Sequence, residues 1–372
     1  MNYNFKEKLL PLNFALEKIE DIRLLIDRSL SFTIVGLPSL GVSLFLKYLS
    51  LNTDKIVVYL DTYSISEPNK HGFYLLLGES LGANVTNNMS DQEILQQSKD
   101  AVSNLVKKHK KVLIIINRFE LLEKEFTQQF LGSLRLLPHE FGNNVSYIFS
   151  LTLPFEEIAI ESLGGGNLDL FTRYYYFKPY QNKDLIELLK IHNPELNPTP
   201  DQLKEALSLS GGHFQLFQLL LKTERGKIDP LRDPFIKFLL KQIYDNFSYE
   251  IRRQIQKIAL GKKIDVDDYL LRIGLVNEKD EFFSKLFKIY VLSQISLKLP
   301  AKEAMLFGLL KNAKGKVVSK EKIFQEIWKN SDNASDWALD SLIYRLRRNP
   351  IFKRSGYVLE SYKKQGYVLS KF

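Results

Sequence analysis

Cysteine is absent from this chain of 372 residues, and histidine is scarce. Without thiols the protein cannot form disulfide bonds, thiolate metal sites or cysteine nucleophiles. The five histidines stand at positions 71, 109, 139, 192 and 213, and none shows a spacing typical of metal ligands, such as HxxxH. We therefore expect neither a metal cofactor nor cysteine-based catalysis.

Long apolar runs are also missing. No stretch approaches the roughly 20 residues that a membrane span needs, and the first ten residues lack the apolar core of a signal peptide. With 45% hydrophobic and 26% charged residues, the composition is that of a globular protein rather than a disordered one. We expect a soluble, cytoplasmic protein without a membrane partner, and the length predicts two or three domains.

The chain lacks an even distribution of charge. The formal net charge is +9, and all of it falls in residues 297–372, which hold 16 basic and 7 acidic side chains. A neutral body with one basic terminal module suggests a nucleic-acid reader attached to another function. The alternative is a solvated basic tail. Such a tail would be rich in Gly, Ser and Pro and would lack periodicity, and this segment has neither property.

The first half of the chain alternates strand and helix patterns. Short, continuously apolar segments are separated by helical stretches, which is typical of a parallel sheet covered on both faces. The main predicted helices between the strands are 73–81 and 91–108. The predicted strands are 31–35, 55–60, 111–116, 145–151 and 174–179.

The remaining sequence predicts three further domains after an α/β domain at 1–180. Residues 181–228 have a wholly helical pattern and are predicted to form a lid. Residues 229–296 combine helices with a short polar hairpin at 277–280, which outlines a winged helix. Residues 297–372 predict three helices and a hairpin, an α+β winged-helix domain.

A glycine-containing loop follows the first predicted strand. Segment 36–43 reads GLPSLGVS and fits the phosphate-loop frame GxxxxGK(S/T), except that Val42 stands at the lysine position. In such a loop, backbone N–H groups hold phosphates, the lysine reaches the outer phosphates and the hydroxyl binds Mg²⁺. Strand 111–116 is followed by Asn117 and Arg118, where acidic residues are expected. The candidate nucleotide-binding residues are Gly36, Gly41, Ser43 and Asn117.

Three polar residues remain as candidates for the magnesium side of this loop: Ser43, Asp61 and Glu120. The interpretation that we favour is structural for each of them. Ser43 is predicted to be a helix cap, Asp61 to close a strand-end turn, and Glu120 to be a solvated carboxylate. His213, after two glycines, is predicted to begin a helix.

These features together resemble the AAA+/STAND class of P-loop ATPases, with an origin-recognition-like core over roughly residues 5–295. The matching segments are 32–43, 112–122, 145–151, 210–213 and 271–276. The resemblance implies a P-loop NTPase-like fold and a change of assembly state on ATP binding. Hydrolysis in that family needs the lysine and both acids, so we expect no hydrolysis and no required cofactor. Weak binding of ATP or ADP through the loop amides stays open.

The third helix of the basic module is the most informative element there. It is predicted to open near Ser335 and to end before Pro350. An apolar stripe at i, i+3, i+4 and i+7 must be buried: Leu339, Leu342, Ile343 and Leu346. The opposite face carries Ser341, Tyr344, Arg345 and Arg348, with Arg347 at its edge. Such a helix suits the DNA major groove. The alternative is a solvated amphipathic helix, which would normally alternate charge signs.

Residues 297–372 resemble the OmpR/PhoB-type winged-helix DNA-binding domain. The family's LTxxE opening corresponds to 299–303, its VDxxIxxLR helix to 339–347, and its closing GYxL to 366–369. The sequence departs from the family at Lys364, which replaces a wing glycine, and at Tyr344, which replaces a usually basic residue.

This second resemblance implies roles for individual residues. It places Ser341, Tyr344 and Arg345 against the bases and Arg347 against a phosphate. Ser361 and Lys363 would be contacts of the wing. The predicted DNA-binding set is completed by further basic residues: Arg348, Lys353, Arg354 and Lys364.

We therefore predict a DNA-binding transcription regulator, associated with a bacterial-type nucleoid, whose partner is double-stranded DNA. The P-loop body would supply assembly, sensing or partner contacts, including self-association. One alternative is a divergent AAA+/STAND ATPase that binds nucleotide and loads or remodels complexes on DNA. Another is a scaffold whose basic wing binds an acidic protein. No receiver domain is recognisable, so regulation by phosphorylation does not carry over from the winged-helix relatives.

Overall fold

The computed structural model describes residues 10–108, 110–163, 168–223, 229–295, 299–329, 335–349, 352, 356–362 and 365–371. The chain divides into two compact units, Met1–Ser293 and Gln294–Phe372. Each unit has its own apolar core.

A five-stranded parallel sheet organises the first unit. The strand order is β2-β3-β4-β1-β5, and every neighbouring pair is parallel. The strands are β1 Phe32–Gly36, β2 Ile56–Asp61, β3 Val112–Asn117, β4 Val145–Leu151 and β5 Tyr174–Phe177. The predicted α/β P-loop NTPase-like fold is thus confirmed. Because the strands are parallel, their carboxyl ends share one edge of the sheet, where ligands of such folds bind.

Helices cover both faces of the sheet, which explains why β1, β3 and β4 are buried along their whole length. The helices of this part are α1 Leu16–Asp27, α2 Val42–Leu51, α3 Lys70–Ser80, α4 Asp91–Val106, α5 Gln128–Leu134, α6 Leu136–Phe141, α7 Phe155–Ala159 and α8 Leu168–Phe171. Helix α4 begins with a capping box in which Ser90 and Glu93 exchange hydrogen bonds.

Two apolar clusters lie on opposite faces of the sheet. Along β3, Leu113 and Ile115 belong to one cluster, whereas Ile114 and Ile116 belong to the other. This alternation follows from the two-residue period of a strand. The second cluster is rich in phenylalanine, with Phe119 in contact with several other aromatic rings.

The rest of the first unit is helical. Helices α9 Asn182–His192, α10 Pro200–Ser210 and α11 Phe214–Lys222 come first, followed by α12 Pro234–Asp245, α13 Tyr249–Ala259, α14 Asp268–Arg272 and α15 Lys285–Gln294. The predicted hairpin at 277–280 is a tight turn, closed by a single antiparallel bridge between Val276 and Phe282. Gly211 has φ +56°, and a Cβ there would lie 1.7 Å from the Phe283 carbonyl oxygen, so only glycine fits.

The second unit contains α16 Ala301–Asn312, α17 Lys320–Trp328, α18 Asp336–Arg348, β6 Tyr357–Tyr362 and β7 Gly366–Lys371. The two strands form an antiparallel hairpin, and Val318 bridges to Tyr367. Helices α17 and α18 begin at Ser319 and Ser335, whose side chains accept backbone N–H groups. The predicted winged-helix fold is confirmed. Every helix in the described part of the chain is too short or too polar to cross a membrane.

Candidate nucleotide cleft and nucleic-acid interface

The loop 36–43 joins β1 to α2 and borders a cleft of about 570 Å³ at the carboxyl edge of the sheet. Gly36, Gly41, Ser43 and Asn117 all line it, so the structure brings the four predicted residues together. Gly41 adopts φ +107°, and its carbonyl oxygen accepts a 2.9 Å hydrogen bond from the Tyr180 hydroxyl. Whether these residues bind a nucleotide stays a prediction.

Asn117, at the end of β3, is the centre of a hydrogen-bond network in the cleft. Its Oδ1 accepts hydrogen bonds from the hydroxyls of Ser43 and Ser150, each at 3.0 Å. Its Nδ2 is buried and has no hydrogen-bond partner among the described residues. Ser43 lies inside α2, whose N-cap is Gly41, so the prediction that Ser43 caps the helix is wrong.

Arg118 lines the cleft and reaches Asp61 at the end of β2. Its Nη1 contacts both carboxylate oxygens of Asp61, at 3.0 and 3.2 Å. The guanidinium also lies over the Tyr63 ring, 5.0 Å from its centre. Asp61 accepts the Tyr63 N–H, as expected of a strand-end turn. Asp61 is therefore already paired with a cation.

Glu120 differs from the sequence-based expectation. It lies in the short 3₁₀ segment Phe119–Glu125 and lines the cleft. Its Oε2 is buried without a partner in the described ranges, so the prediction of a solvated carboxylate is wrong. Burial raises the pKa of the carboxyl from 4.5 to about 7, because the charged form loses its hydration. Nothing in the local sequence reveals this, since the turn after β3 decides where the side chain points.

His213 links helix α11 to the loop 36–43. It is the N-cap of α11, as predicted, and its Nδ1 accepts the Leu216 N–H at 3.3 Å. Its Nε2 therefore carries the proton and donates to the Pro38 carbonyl at 2.9 Å. The ring is fully buried, and this burial lowers its pKa to about 4. The ring is neutral at physiological pH.

In the second unit, α18 presents two different faces. Leu339, Leu342 and Leu346 are completely buried in the core. The opposite face is open to solvent, and Tyr344 is 57% exposed. Ser341 is half-buried on this side of the helix, and Ser361 is exposed on β6. The predicted division of α18 into a buried and an exposed stripe is confirmed.

The three arginines of α18 each engage a group of the protein. Arg345 has its Nε 3.7 Å from Oε1 of Glu303, a nearly buried carboxylate of α16. Arg347 donates from its Nε to the Leu359 carbonyl at 3.1 Å, which ties the helix to the wing. Arg348 places its guanidinium over the Tyr344 ring, 4.8 Å from the centre. All three remain exposed as residues.

The base and phosphate contacts predicted for these arginines stay predictions. The predicted contacts at Lys353, Arg354, Lys363 and Lys364 lie outside the described residues.

One exposed residue of α18 was missed at the sequence level. Trp337 is 79% exposed, compared with 57% for Tyr344 on the same helix. It stands four residues before Ser341 and therefore on the same face. The spacing of four residues is visible in the sequence and could have placed Trp337 on this face.

Residues 294–369 match the protein family described as "Transcriptional regulatory protein, C terminal". The second unit is therefore a winged-helix domain of the transcriptional-regulator type. No curated protein matches the chain.

Solved structures are also similar. The Aeropyrum pernix ORC1 protein in complex with DNA has 13% identity and TM-score 0.44, covering 100% of this chain and 91% of that one. A Walker-type ATPase of Pyrococcus abyssi has 13% identity and TM-score 0.44, covering 74% and 95%. The Cdc6p protein of Pyrobaculum aerophilum has 13% identity and TM-score 0.43, covering 97% and 90%. The fold assignment rests on the strand order rather than on these likenesses.

Proposed function

We propose that the chain is a sequence-specific transcription regulator that reads duplex DNA with α18. The observation that carries the proposal is the two-sided character of this helix. One side is fixed in the core by Leu339, Leu342 and Leu346, and the other presents Tyr344 and arginines to solvent. A recognition helix must be rigidly mounted and must have an exposed polar face. The family match of residues 294–369 supports the same function.

Roles follow for the predicted DNA-binding residues. Ser341, Tyr344 and Arg345 read bases in the major groove, and Arg347 and Ser361 position the unit on the backbone. The basic residues at 348, 353, 354, 363 and 364 supply phosphate contacts, which provide affinity without sequence information. The body, 1–293, supplies assembly, self-association or sensing, and the chain acts at the nucleoid.

The P-loop fold implies a magnesium–nucleotide complex, and the side chains of the cleft do not fit one as they stand. Val42 supplies no cation where the outer phosphates would lie. Asn117 stands where a metal-binding acid is expected, and its neutral amide oxygen accepts the proton of the Ser43 hydroxyl. Asp61 is neutralised by Arg118. We infer that this body does not hydrolyse ATP and that its cleft is held together by its own side chains.

The proposal is tested by fluorescence anisotropy of the full-length chain with a labelled random duplex at several salt concentrations. We expect binding whose logarithm falls linearly with the logarithm of salt concentration, with a slope of about −0.9 for each phosphate contacted. The same titration with an acidic polypeptide is the control. Binding of the polypeptide but not of duplex DNA would replace the proposal by the scaffold alternative.

A further inference from the structure

The exposed face of α18 carries two large aromatic rings. Trp337 is 79% exposed and Tyr344 is 57% exposed, although both rings have large apolar surfaces. Leaving such surfaces in water forgoes the free energy that burial would provide. On a helix already proposed to read DNA, two such rings on one face favour a surface that the bound partner covers.

The two rings belong to one stripe. Trp337, Ser341, Tyr344 and Arg348 follow the spacing i, i+4, i+7 and i+11, which keeps them on one side of an α-helix. At a rise of about 1.5 Å per residue, the two rings are about 10 Å apart along the axis. That distance corresponds to about three base steps of about 3.4 Å.

The arginines in and beside this stripe each contact another group of the protein. The Nε of Arg345 faces Glu303, and that of Arg347 binds the Leu359 carbonyl. Arg348 lies over the ring of Tyr344. The exposed surface of the stripe is thus formed by the two rings and by Arg348, whose guanidinium lies over the Tyr344 ring.

An aromatic surface in the major groove has one apolar group to contact, the 5-methyl of thymine. We propose that Tyr344 and Trp337 recognise thymine methyl groups, so that the DNA site of this chain carries A·T pairs opposite the two rings. This inference rests on the proposed function and adds to it the chemical feature that is read. Ser341 and Arg345 keep their predicted contacts with polar base edges.

The test compares thymine with uracil, which differs only by the methyl group and keeps every hydrogen-bonding atom. A site is first enriched from random duplexes with the full-length chain. It is then synthesised with thymine or with uracil, and both duplexes are titrated by anisotropy. We expect uracil to weaken binding by about fourfold for each methyl contacted.

Variants assign the effect to the rings. Tyr344→Ala and Trp337→Ala should each reduce the thymine-over-uracil preference, whereas Tyr344→Phe should keep it, because the ring and not the hydroxyl covers the methyl. Met305→Ala, at a 44% exposed apolar residue on α16, is the matched control and should leave the preference unchanged. All these positions are exposed, and circular dichroism checks the fold of each variant.

The outcomes separate this inference from the proposed function. An enriched site that binds equally well with uracil would overturn the methyl contacts and leave DNA reading intact. A preference for thymine that survives in both alanine variants would also overturn the assignment to these rings. Failure to enrich any site would overturn the proposed sequence-specific function together with the inference.

Discussion

Asn117 illustrates how a single residue defines the character of the cleft. Its amide oxygen carries no charge and accepts hydrogen bonds from the hydroxyl groups of Ser43 and Ser150. Asn117 and Ser43 were both predicted from the sequence as nucleotide-binding candidates, and they lie together because a loop and a strand end of a parallel sheet share one edge. The sequence could not predict the partner Ser150 or the buried Oε2 of Glu120, since both depend on how separate segments pack.

Glu120 should make the stability of the first unit fall as the pH rises. Its folded pKa of about 7 lies above the unfolded value of 4.5. The folded state therefore binds more protons between these values, and this stabilising contribution is lost as the pH rises through about 7. Relative to Glu120→Gln, the wild-type chain should lose up to about 3 kcal/mol of unfolding free energy between pH 5 and pH 8. Urea denaturation of both proteins at both pH values measures this difference. An equal change in unfolding free energy for the wild-type chain and the variant would contradict the prediction.

His213 should act in the opposite direction. Its folded pKa of about 4 lies below the unfolded value of 6.5, so the unfolded chain binds the extra proton. Stability is full above about 6.5 and is lost as the pH falls towards 4, by up to about 3 kcal/mol. His213→Gln removes this dependence. The free energy of unfolding is measured between pH 4 and pH 7 for chains with and without His213→Gln. Both chains also carry Glu120→Gln, so that the opposing effect of Glu120 is removed. The same loss of stability at acid pH in both chains would contradict this prediction.

Arg345 should control base selection rather than general affinity. We expect Arg345→Ala to cost about 1–3 kcal/mol on an enriched site and much less on a scrambled duplex. Lys363→Ala, at a predicted phosphate contact, should instead weaken both duplexes alike. Because Arg345 also contacts Glu303, a melting curve checks the fold of its variant. Equal losses on both duplexes for both variants would refute this division of roles.

Strands and helices with a strong hydrophobic pattern could be predicted from the sequence, whereas elements with a weak pattern could not. The apolar strands and α18 were recovered because burial on two faces or on one imposes a period on the sequence. The hairpin at 277–280 was predicted from its turn residues, but its pairing is reduced to one bridge. Turn residues indicate a reversal of the chain and not the length of the strands beside it.

The buried stripe of α18 should dominate the stability of the second unit. Leu342→Ala leaves a cavity in the core and should cost about 2–5 kcal/mol, whereas Tyr344→Ala on the exposed face should cost little. The chain has two tryptophans, Trp328 and Trp337, and both lie in this unit. Thermal unfolding followed by tryptophan fluorescence in the full-length chain therefore reports this unit alone. Similar losses for the two variants would contradict the assignment of the faces.

For the whole molecule, a neutral body is joined to a basic reading unit. Charge counting alone located the module predicted to bind DNA. Phosphate recognition requires an excess of basic side chains, whereas the folding of a protein core does not. Charge counting could not assign a role to the body, since its cleft depends on individual partners such as the Asp61–Arg118 pair. The fold of the body is that of a P-loop protein, while the predicted loss of hydrolysis is a matter of single side chains.

The body should not bind magnesium–ATP unless the P-loop lysine and the acid after β3 are restored. Calorimetry of the full-length chain at millimolar ATP with Mg²⁺ should show no heat of binding, because Val42 and Asn117 provide neither the cation nor the acid. The double variant Val42→Lys with Asn117→Asp should gain detectable binding. The wild-type chain with ADP and without Mg²⁺ is the control for contacts through the loop amides alone. Turnover of ATP by the wild-type chain would support the alternative of an active ATPase.

The most direct test of the account is selection of duplexes from a random pool by the full-length chain, compared with a variant that carries both Tyr344→Ala and Arg345→Ala. The account predicts that the wild-type chain enriches one recurring sequence and that the variant retains salt-dependent binding without enrichment. Enrichment of the same sequence by both proteins would show that α18 is not the reading element. A pool that stays random with the wild-type chain would contradict sequence-specific recognition altogether.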